Sequence, residues 1–384
     1  MGGRVWRALA VAMIGAVLAG CGAGSSSEPA GLRFERVDLP PGDQLEEISA
    51  AGDDLLVGIR RDGQPTAPGL LRLTQDGAIN PVPLTAATPY GRSAHWYSIT
   101  SDGRRILGIG GDRGGAHSNV RWSIWSGAAE GVAEHSQAFS TFGGWGAGDL
   151  VDAVLTPTAP ALVGSWQSAF AGLDVAVWTA QGETWTRQSS AGSPLESTRT
   201  ALEFAAAATR DGNGVLIAGW QLGLGPGGGQ APVVWRATAG TSGWTRTTLP
   251  DGGTIGAAVA ARCWDSPLTL EGCGVSGRVD GALALWRLTG DTWTRVRGTP
   301  PVAVGENERL AAPLAIDARL AQFVTVDGQV RLVSTDGTAS TVRPIVGPTG
   351  TVSSAVTAGK WTYLRAGADP NSQQLWRAET STLH

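Results

Sequence analysis

A repeat of about 50 residues is the feature that most constrains how this chain of 384 residues can fold. Three segments align directly: residues 175–187, 233–246 and 283–295. Each has an apolar run, a turn that contains glycine, and a second run that ends in Trp-Thr-Arg. Their first tryptophans, Trp178, Trp235 and Trp286, lie 57 and 51 residues apart. Apolar runs joined by a short glycine turn are typical of β-hairpins, so each segment is predicted to form one.

A second repeated element precedes each hairpin, at residues 161–167, 215–221 and 272–278. Runs of small residues such as 205–208 and 257–261 lie upstream of it and fit an innermost strand at a crowded axis. Each unit therefore has four strands in about 50 residues. That is the blade of a β-propeller, and its length matches the kelch period better than the shorter WD40 period.

Weaker copies of the unit on both sides bring the count to seven. We therefore predict an all-β fold: a seven-bladed β-propeller of four-stranded antiparallel blades over residues 32–384. The last unit starts near residue 351 and has only three strands before the sequence ends, whereas residues 32–37 alternate like a strand without partners. This N-terminal strand is predicted to complete the last blade, which leaves no open edge. The alternative is six blades with residues 309–345 as an appendage.

The first 21 residues indicate export. Arg4 and Arg7 precede an apolar core at 9–18 that is too short to span a bilayer. The sequence Leu-Ala-Gly-Cys at 18–21 resembles the lipobox of bacterial lipoproteins of actinobacterial type. This resemblance implies a signal peptide at 1–20, a lipid such as palmitate on Cys21, a flexible tether at 21–31, and an extracytoplasmic protein anchored to the cell membrane. The alternative is a secreted protein with a chance cysteine at the cleavage site.

Two further cysteines, Cys263 and Cys273, form an even pair in what would be an oxidising compartment. We expect a disulfide that joins the first two strands of the fifth blade. The alternative is two free buried thiols. A structural zinc site would need four ligands, and no histidine lies near this pair.

Charge excludes one class of partner. The chain has 29 basic and 33 acidic residues, without the basic surplus that nucleic-acid binding requires. The four histidines are scattered, one to a segment, and are interpreted as exposed loop residues rather than metal ligands. We expect no nucleic acid, no metal, no cofactor and a monomer.

Residues 179–185 and 287–293 resemble the Asp-box of sialidase-type propellers, Ser-x-Asp-x-Gly-x-Thr-Trp, although both are one residue short and lack the Asp. In that family the box is a structural turn, so the resemblance implies blade architecture. Its catalysis needs an arginine triad, a tyrosine nucleophile with a glutamate, and an aspartic acid. This chain has three tyrosines and lacks the strand motif that supplies the first arginine. No catalytic residue is therefore carried over.

Any ligand is expected in the central funnel, where the loops between second and third strands meet. Aromatic, amide and charged side chains occupy matching places at the ends of the predicted second strands, and they are our candidate ligand-binding residues: Arg61, Asp112, Arg113, Trp166, Gln167, Trp220, Gln221 and Arg278. Such side chains stack on sugars or hold extended peptides. The alternative is that Trp166 and Trp220 fill the gaps between blades.

Three functions remain open. The first is a surface-anchored binding or scaffolding module for an envelope protein or glycan. The second is a glycan-active enzyme, a sialidase-like hydrolase or a lyase, which needs two carboxylates about 5–10 Å apart. The third is a structural accessory with a plugged funnel. Seven carboxylates lie near predicted rim loops, and nothing in the sequence selects a pair among them: Asp62, Asp112, Asp174, Glu203, Glu306, Glu308 and Asp369. No complete catalytic motif is found, so we expect the binding module rather than an enzyme.

Overall fold

The computed structural model describes residues 31–63, 65–114, 119–143, 147–264, 270–369 and 372–383. Within these residues the fold is built from β-strands, with one short α-helix, Pro89–Arg92, and one 3-10 turn, Thr380–Thr382. No helix in these ranges is both long and apolar enough to cross a bilayer. The predicted signal peptide, Cys21 and all but the last residue of the tether lie outside the described residues.

The strands form seven sheets, each containing four strands that run antiparallel from an inner to an outer position. Two short strands come first: β1 (Leu32–Arg33) and β2 (Glu35–Val37). Blades one and two follow: β3 (Asp43–Ala51), β4 (Asp54–Arg61), β5 (Ala67–Leu73) and β6 (Ile79–Pro81); then the edge strand β7 (Leu84–Thr85), β8 (His95–Ser101), β9 (Ile106–Gly114), β10 (Asn119–Ala128) and β11 (Gly131–His135).

The strongly repeated part of the sequence forms blades three to five. Their strands are β12 (Gly148–Leu155), β13 (Pro160–Gln167), β14 (Leu173–Gln181) and β15 (Thr184–Arg187); β16 (Ala201–Asp211), β17 (Gly214–Gly223), β18 (Gln230–Ala237) and β19 (Thr245–Thr248); β20 (Gly256–Trp264), β21 (Gly272–Val279), β22 (Ala282–Thr289) and β23 (Thr292–Arg295). Blades six and seven contain β24 (Leu314–Ile316), β25 (Arg319–Val326), β26 (Gln329–Thr335) and β27 (Ser340–Thr349); β28 (Thr351–Ala358), β29 (Trp361–Gly367) and β30 (Gln374–Glu379). The prediction of seven blades is confirmed, and the six-blade alternative is wrong, because residues 309–345 supply most of blade six.

The N-terminal segment closes the ring. β2 pairs antiparallel with β30 and supplies the fourth strand of blade seven, as predicted. The prediction that all of residues 32–37 belong to that blade needs correction, because β1 pairs in parallel with β27 of blade six. The chain crosses between the two blades at Phe34, which is buried and packs edge-to-face on Phe323 with ring centroids 5.8 Å apart. One segment therefore joins two neighbouring blades.

The glycines of the repeated second element face a bulge in the inner strand. Bulges interrupt the pairing of β12 with β13 and of β16 with β17. A Cβ on Gly164 or Gly219 would collide with the carbonyl oxygen of Asp149 or Phe204, respectively. Only glycine fits where the bulged backbone comes this close.

The repeated tryptophans on the third strands hold each blade to the connection before it. Trp178, Trp235 and Trp286 are completely buried. Their indole N–H groups donate to the carbonyl oxygens of Thr141, Pro194 and Pro250 at 2.8, 2.9 and 2.8 Å. Because a buried indole N–H needs an acceptor, these bonds fix the path of each connection. These tryptophans are structural.

Cys263 and Cys273 are directly opposite each other on β20 and β21 and form a disulfide. The predicted pairing within the first hairpin of blade five is therefore confirmed. The alternative of free thiols is wrong for this structure.

Candidate functional site

Inner strands begin, and second strands end, at the same side of the ring. The register shows this, because Asp43 pairs with Arg61 and Gly148 pairs with Trp166. We call this side, which also contains the loops between second and third strands, the funnel face. Between the inner strands lies a central channel with a volume of about 1080 Å³.

A second opening, with a volume of about 560 Å³, lies on the funnel face between blades seven, one and two, and we call it the rim pocket. Its charged and aromatic wall contains Glu46, Glu47, His95, Trp96, Tyr97, Asp112, Arg113, Arg365 and Asp369, together with residues 307–309. Glu47, Tyr97, Arg309 and Ser353 line both the rim pocket and the channel. The two spaces therefore adjoin.

Blade six is the reason that these openings meet. Its inner strand, β24, has only three residues, whereas the other inner strands have seven to eleven. In place of a longer strand, residues 306–310 run along the channel wall, and residues 307–309 also border the rim pocket. Because β24 is short, the side chains of residues 306–310 line the channel at a place where the other blades have a longer inner strand.

A three-residue polar network crosses from blade one to blade two at the rim pocket. An Arg60 Nη1–H donates to His95 Nε2 at 2.6 Å, so the ring proton is assigned to Nδ1, which donates to Glu46 Oε1 at 2.6 Å. Glu46 Oε2 also accepts from the Trp96 main-chain N–H at 2.8 Å. Both nitrogens of His95 are therefore engaged. The interpretation of the histidines as exposed loop residues needs correction for His95 and His135, because they are the first residue of β8 and the last residue of β11.

Glu47 and Arg365 form an ion pair in the wall between the rim pocket and the channel. The Arg365 Nη1 and Glu47 Oε1 atoms are 2.8 Å apart, and the two side chains are 7% and 17% exposed. Arg365 Nε–H also donates to Ser353 Oγ at 2.7 Å. Burial raises the pKa of Glu47, although the charge of Arg365 opposes this shift. Loss of either partner would leave a poorly hydrated charge.

Tyr97 lies at the junction of the two openings and packs edge-to-face on Trp122, with ring centroids 4.9 Å apart. Burial raises the pKa of its phenol. A tyrosine nucleophile needs a nearby base or a lowered pKa. The environment of Tyr97 therefore does not favour phenolate formation.

Asp152 connects three inner strands beside the channel. Its Oδ1 accepts from Ser98 Oγ of blade two at 2.6 Å, and its Oδ2 accepts from the Ala208 N–H of blade four at 3.0 Å. Burial raises its pKa, because these neutral donors only partly replace water. Asp152 thus acts as a bridge between blades.

The structure separates the candidate ligand-binding residues into three groups. Asp112 and Arg113 line the rim pocket, while Trp220 and Arg278 line the channel. Ser93 Oγ donates to Asp112 at 2.7 Å. Trp220 stacks on Phe204 with ring centroids 5.4 Å apart, and this aromatic pair forms part of the channel wall.

The remaining candidates border neither opening. Trp166 packs on Trp178 of the same blade, with ring centroids 6.2 Å apart, and lies under the guanidinium of Arg187, also of that blade, at 4.7 Å. Gln221 donates to Glu203 at 2.6 Å. Gln167 is exposed at the end of β13, and Arg61 lies 4.0 Å from Asp43.

The carboxylates singled out from the sequence are similarly dispersed. Asp112, Glu308 and Asp369 line the rim pocket, and Glu306 and Glu308 line the channel. Asp174 and Glu203 are buried, and Asp62 accepts from Gln44 at 3.0 Å. Sequence reasoning missed Glu46 and Glu47. A signal for them was available: two adjacent carboxylates in the segment that precedes the second strand of blade one.

These features define a seven-bladed β-propeller that is closed by an N-terminal strand and has an opening beside its axis. No known family model matches the chain, and no curated protein has a significantly similar sequence. Its similarity to solved structures therefore shows the fold alone.

Three solved structures illustrate that similarity. The β-propeller domain of the Trilobed protease from Pyrococcus furiosus has 10% identity and a TM-score of 0.50, with 89% of this chain and 97% of that chain covered. A puromycin-hydrolyzing peptidase from Mycobacterium tuberculosis has 16% identity and a TM-score of 0.52, with 92% and 56% covered. This chain thus spans about half the length of that peptidase. A sialidase from Trypanosoma rangeli has 10% identity and a TM-score of 0.43, with 88% and 54% covered.

Proposed function

We propose that this protein is a membrane-anchored extracytoplasmic lipoprotein whose propeller binds an envelope protein or glycan through the funnel face. The rim pocket is the observation that carries the binding part of this proposal, and the lipobox-like sequence at 18–21 supports the anchor. It is open, has a volume of about 560 Å³, and presents carboxylate, guanidinium, imidazole and phenol groups together. A concave site with convergent polar groups and aromatic walls is what ligand binding requires.

The state of the polar groups supports binding rather than hydrolysis. Glu46 is held by His95, and Glu47 is held by Arg365. Asp112 accepts from Ser93. A glycosidase needs one carboxylic acid that donates a proton and a second carboxylate that attacks or activates water. Carboxylates already committed to ion pairs and hydrogen bonds instead form a fixed pattern of acceptors.

The binding proposal is tested with an array of envelope glycans and envelope peptides probed with the purified full-length chain. Tyr97→Ala and Asp112→Ala remove groups that line the rim pocket, whereas Phe170→Ala removes an exposed ring outside both openings. We expect the first two variants to lose at least about tenfold in affinity and the third to bind like wild type. Equal binding by all four proteins would contradict the proposal.

The membrane anchor is tested separately by metabolic labelling with a palmitate analogue. We expect label on the wild-type chain and none on Cys21→Ala, with Cys263→Ala as the matched cysteine control. Label that persists in Cys21→Ala would exclude lipid attachment at this residue.

A further inference from the structure

The guanidinium group of Arg262 bridges blades five and seven, beside the short inner strand of blade six. Arg262 belongs to β20 of blade five, and its Nη2–H donates to the carbonyl oxygen of Ala355 in β28 of blade seven at 2.8 Å. Blade six lies between these two blades, but its inner strand starts only at Leu314. Arg262 therefore reaches across the gap, and it lines the channel.

Within the described residues, Arg262 has no nearby counter-charge. Desolvation alone lowers the pKa of Arg262 to about 10, without an opposing carboxylate among the described residues. Other charged groups of the channel are placed differently: Glu47 pairs with Arg365, and Asp152 binds neutral donors of blades two and four. A poorly hydrated guanidinium without a carboxylate is unfavourable, and a bound anion would relieve that cost.

Donors for an anion remain available beside this gap. A guanidinium carries five N–H donors, and one acceptor bond is recorded for Arg262 within the described part of the chain. Ser354 directly precedes the carbonyl that Arg262 contacts, also lines the channel, and has no hydrogen bond recorded for its hydroxyl in the same part of the chain. A guanidinium fork and an adjacent hydroxyl suit the oxygens of a carboxylate or phosphate.

We propose that Arg262 and Ser354 form an oxyanion-binding site in the central channel, at the gap left by the short inner strand of blade six. The channel adjoins the rim pocket, so this site deepens the proposed function and rests on it: it assigns an acidic group to the ligand that enters from the funnel face.

The site is tested by calorimetric titration of the full-length chain with acetate, D-glucuronate and inorganic phosphate. Chloride salts keep the ionic strength constant and serve as the reference anion. Wild type is expected to bind at least one of these ions saturably. Arg262→Gln should weaken that binding by about tenfold or more, Arg262→Lys should weaken it less, and Ser354→Ala by about threefold. Arg36→Gln is the matched control, because Arg36 is an exposed arginine that lines neither the channel nor the rim pocket, and it should change affinity by less than about twofold.

Ser354→Ala leaves the bond between Arg262 and Ala355 in place, so it tests the site even if Arg262→Gln does not fold. Tighter binding of glucuronate than of phosphate identifies a carboxylate ligand, and the reverse order identifies a phosphate; both results support the site. Absence of saturable binding by wild type, or equal losses in Arg36→Gln and Arg262→Gln, overturns it. Glycan or peptide binding at the rim pocket without any oxyanion binding overturns this inference alone. Oxyanion binding without rim-pocket binding overturns only the proposed function.

Discussion

Blades three to five and the remaining four blades use their side chains differently. In blades three to five, the regular sector (residues 148–295), buried tryptophans and bulge-facing glycines recur and hold the ring together. In blades six, seven, one and two, the open sector (residues 32–135 and 306–379), the repeat is weak, one inner strand is short, and charged groups line the rim pocket. This comparison indicates that the repeated residues stabilise the ring, whereas residues that differ from the repeat line the rim pocket.

The largest effect is expected in the regular sector. Trp235→Ala should lower the free energy of unfolding by about 3–5 kcal/mol, because it leaves a large cavity and an unpaired Pro194 carbonyl. Trp220→Ala should cost about 1–2 kcal/mol, because Trp220 faces the channel and loses mainly its stack on Phe204. Urea unfolding followed by near-ultraviolet circular dichroism measures both. Equal losses of unfolding free energy in the two variants would contradict the distinction between structural tryptophans and tryptophans that face the channel.

Removal of one charge from the buried ion pair of Glu47 and Arg365 should lower the free energy of unfolding. Arg365→Met is expected to cost about 3 kcal/mol, because it leaves Glu47 buried without its partner. The additional change Glu47→Leu should recover most of that loss. The control Arg36→Met breaks an exposed pair with Asp38 and should cost less than about 1 kcal/mol. Chemical denaturation of wild type and the three variants measures these free energies. A double variant as unstable as Arg365→Met would show that the unpaired charge of Glu47 is not the cause of the loss.

The disulfide of blade five should contribute a smaller amount. It closes a loop between Cys263 and Cys273, which are 10 residues apart, so the double change to serine should cost about 2–3 kcal/mol. Thermal unfolding with and without reductant measures this loss. Reductant should lower the midpoint of wild type and leave that of the double variant unchanged. A wild-type midpoint insensitive to full reduction would show that the disulfide does not stabilise the ring.

The smallest effect is a dependence on pH. Burial raises the pKa of Asp152, so the folded chain keeps a proton that the unfolded chain has already released. This stabilisation is fully present below the unfolded pKa of about 4 and is lost as pH rises through the folded pKa. The urea midpoint of wild type should therefore fall relative to Asp152→Asn as the pH rises above about 4. If the urea midpoints of wild type and Asp152→Asn change with pH in the same way, other groups cause the pH dependence.

Sequence reasoning predicted the ring because its determinants are local and repeated. Trp178, Trp235 and Trp286 recur at nearly constant spacing, and the pairing of Cys263 with Cys273 follows from their places on adjacent strands. The N-terminal strand was predicted to close blade seven, but its split at Phe34 depends on a contact with Phe323 almost 290 residues away. Such a contact leaves no periodic signal.

The site was less predictable because it depends on departures from the repeat. Asp112 and Arg113 were singled out and do line the rim pocket, whereas Trp166 was singled out by the same reasoning and packs on Trp178 of its own blade. Glu47 and Arg365 are far apart in the sequence, and only the closed ring brings them within 2.8 Å. Charged residues in predicted inner strands would have been the better guide.

Site-specific photo-crosslinking in cells tests most directly whether the open sector is the binding region. A photoreactive amino acid placed at Asn307 reports on the rim pocket, and the same group at Phe170 or Leu224 reports on exposed positions of the regular sector on the same face. We predict a discrete crosslinked product from position 307, lost in the Tyr97→Ala background, and none from positions 170 and 224. Discrete products from positions 170 and 224, with none from 307, would contradict the assignment of binding to the open sector.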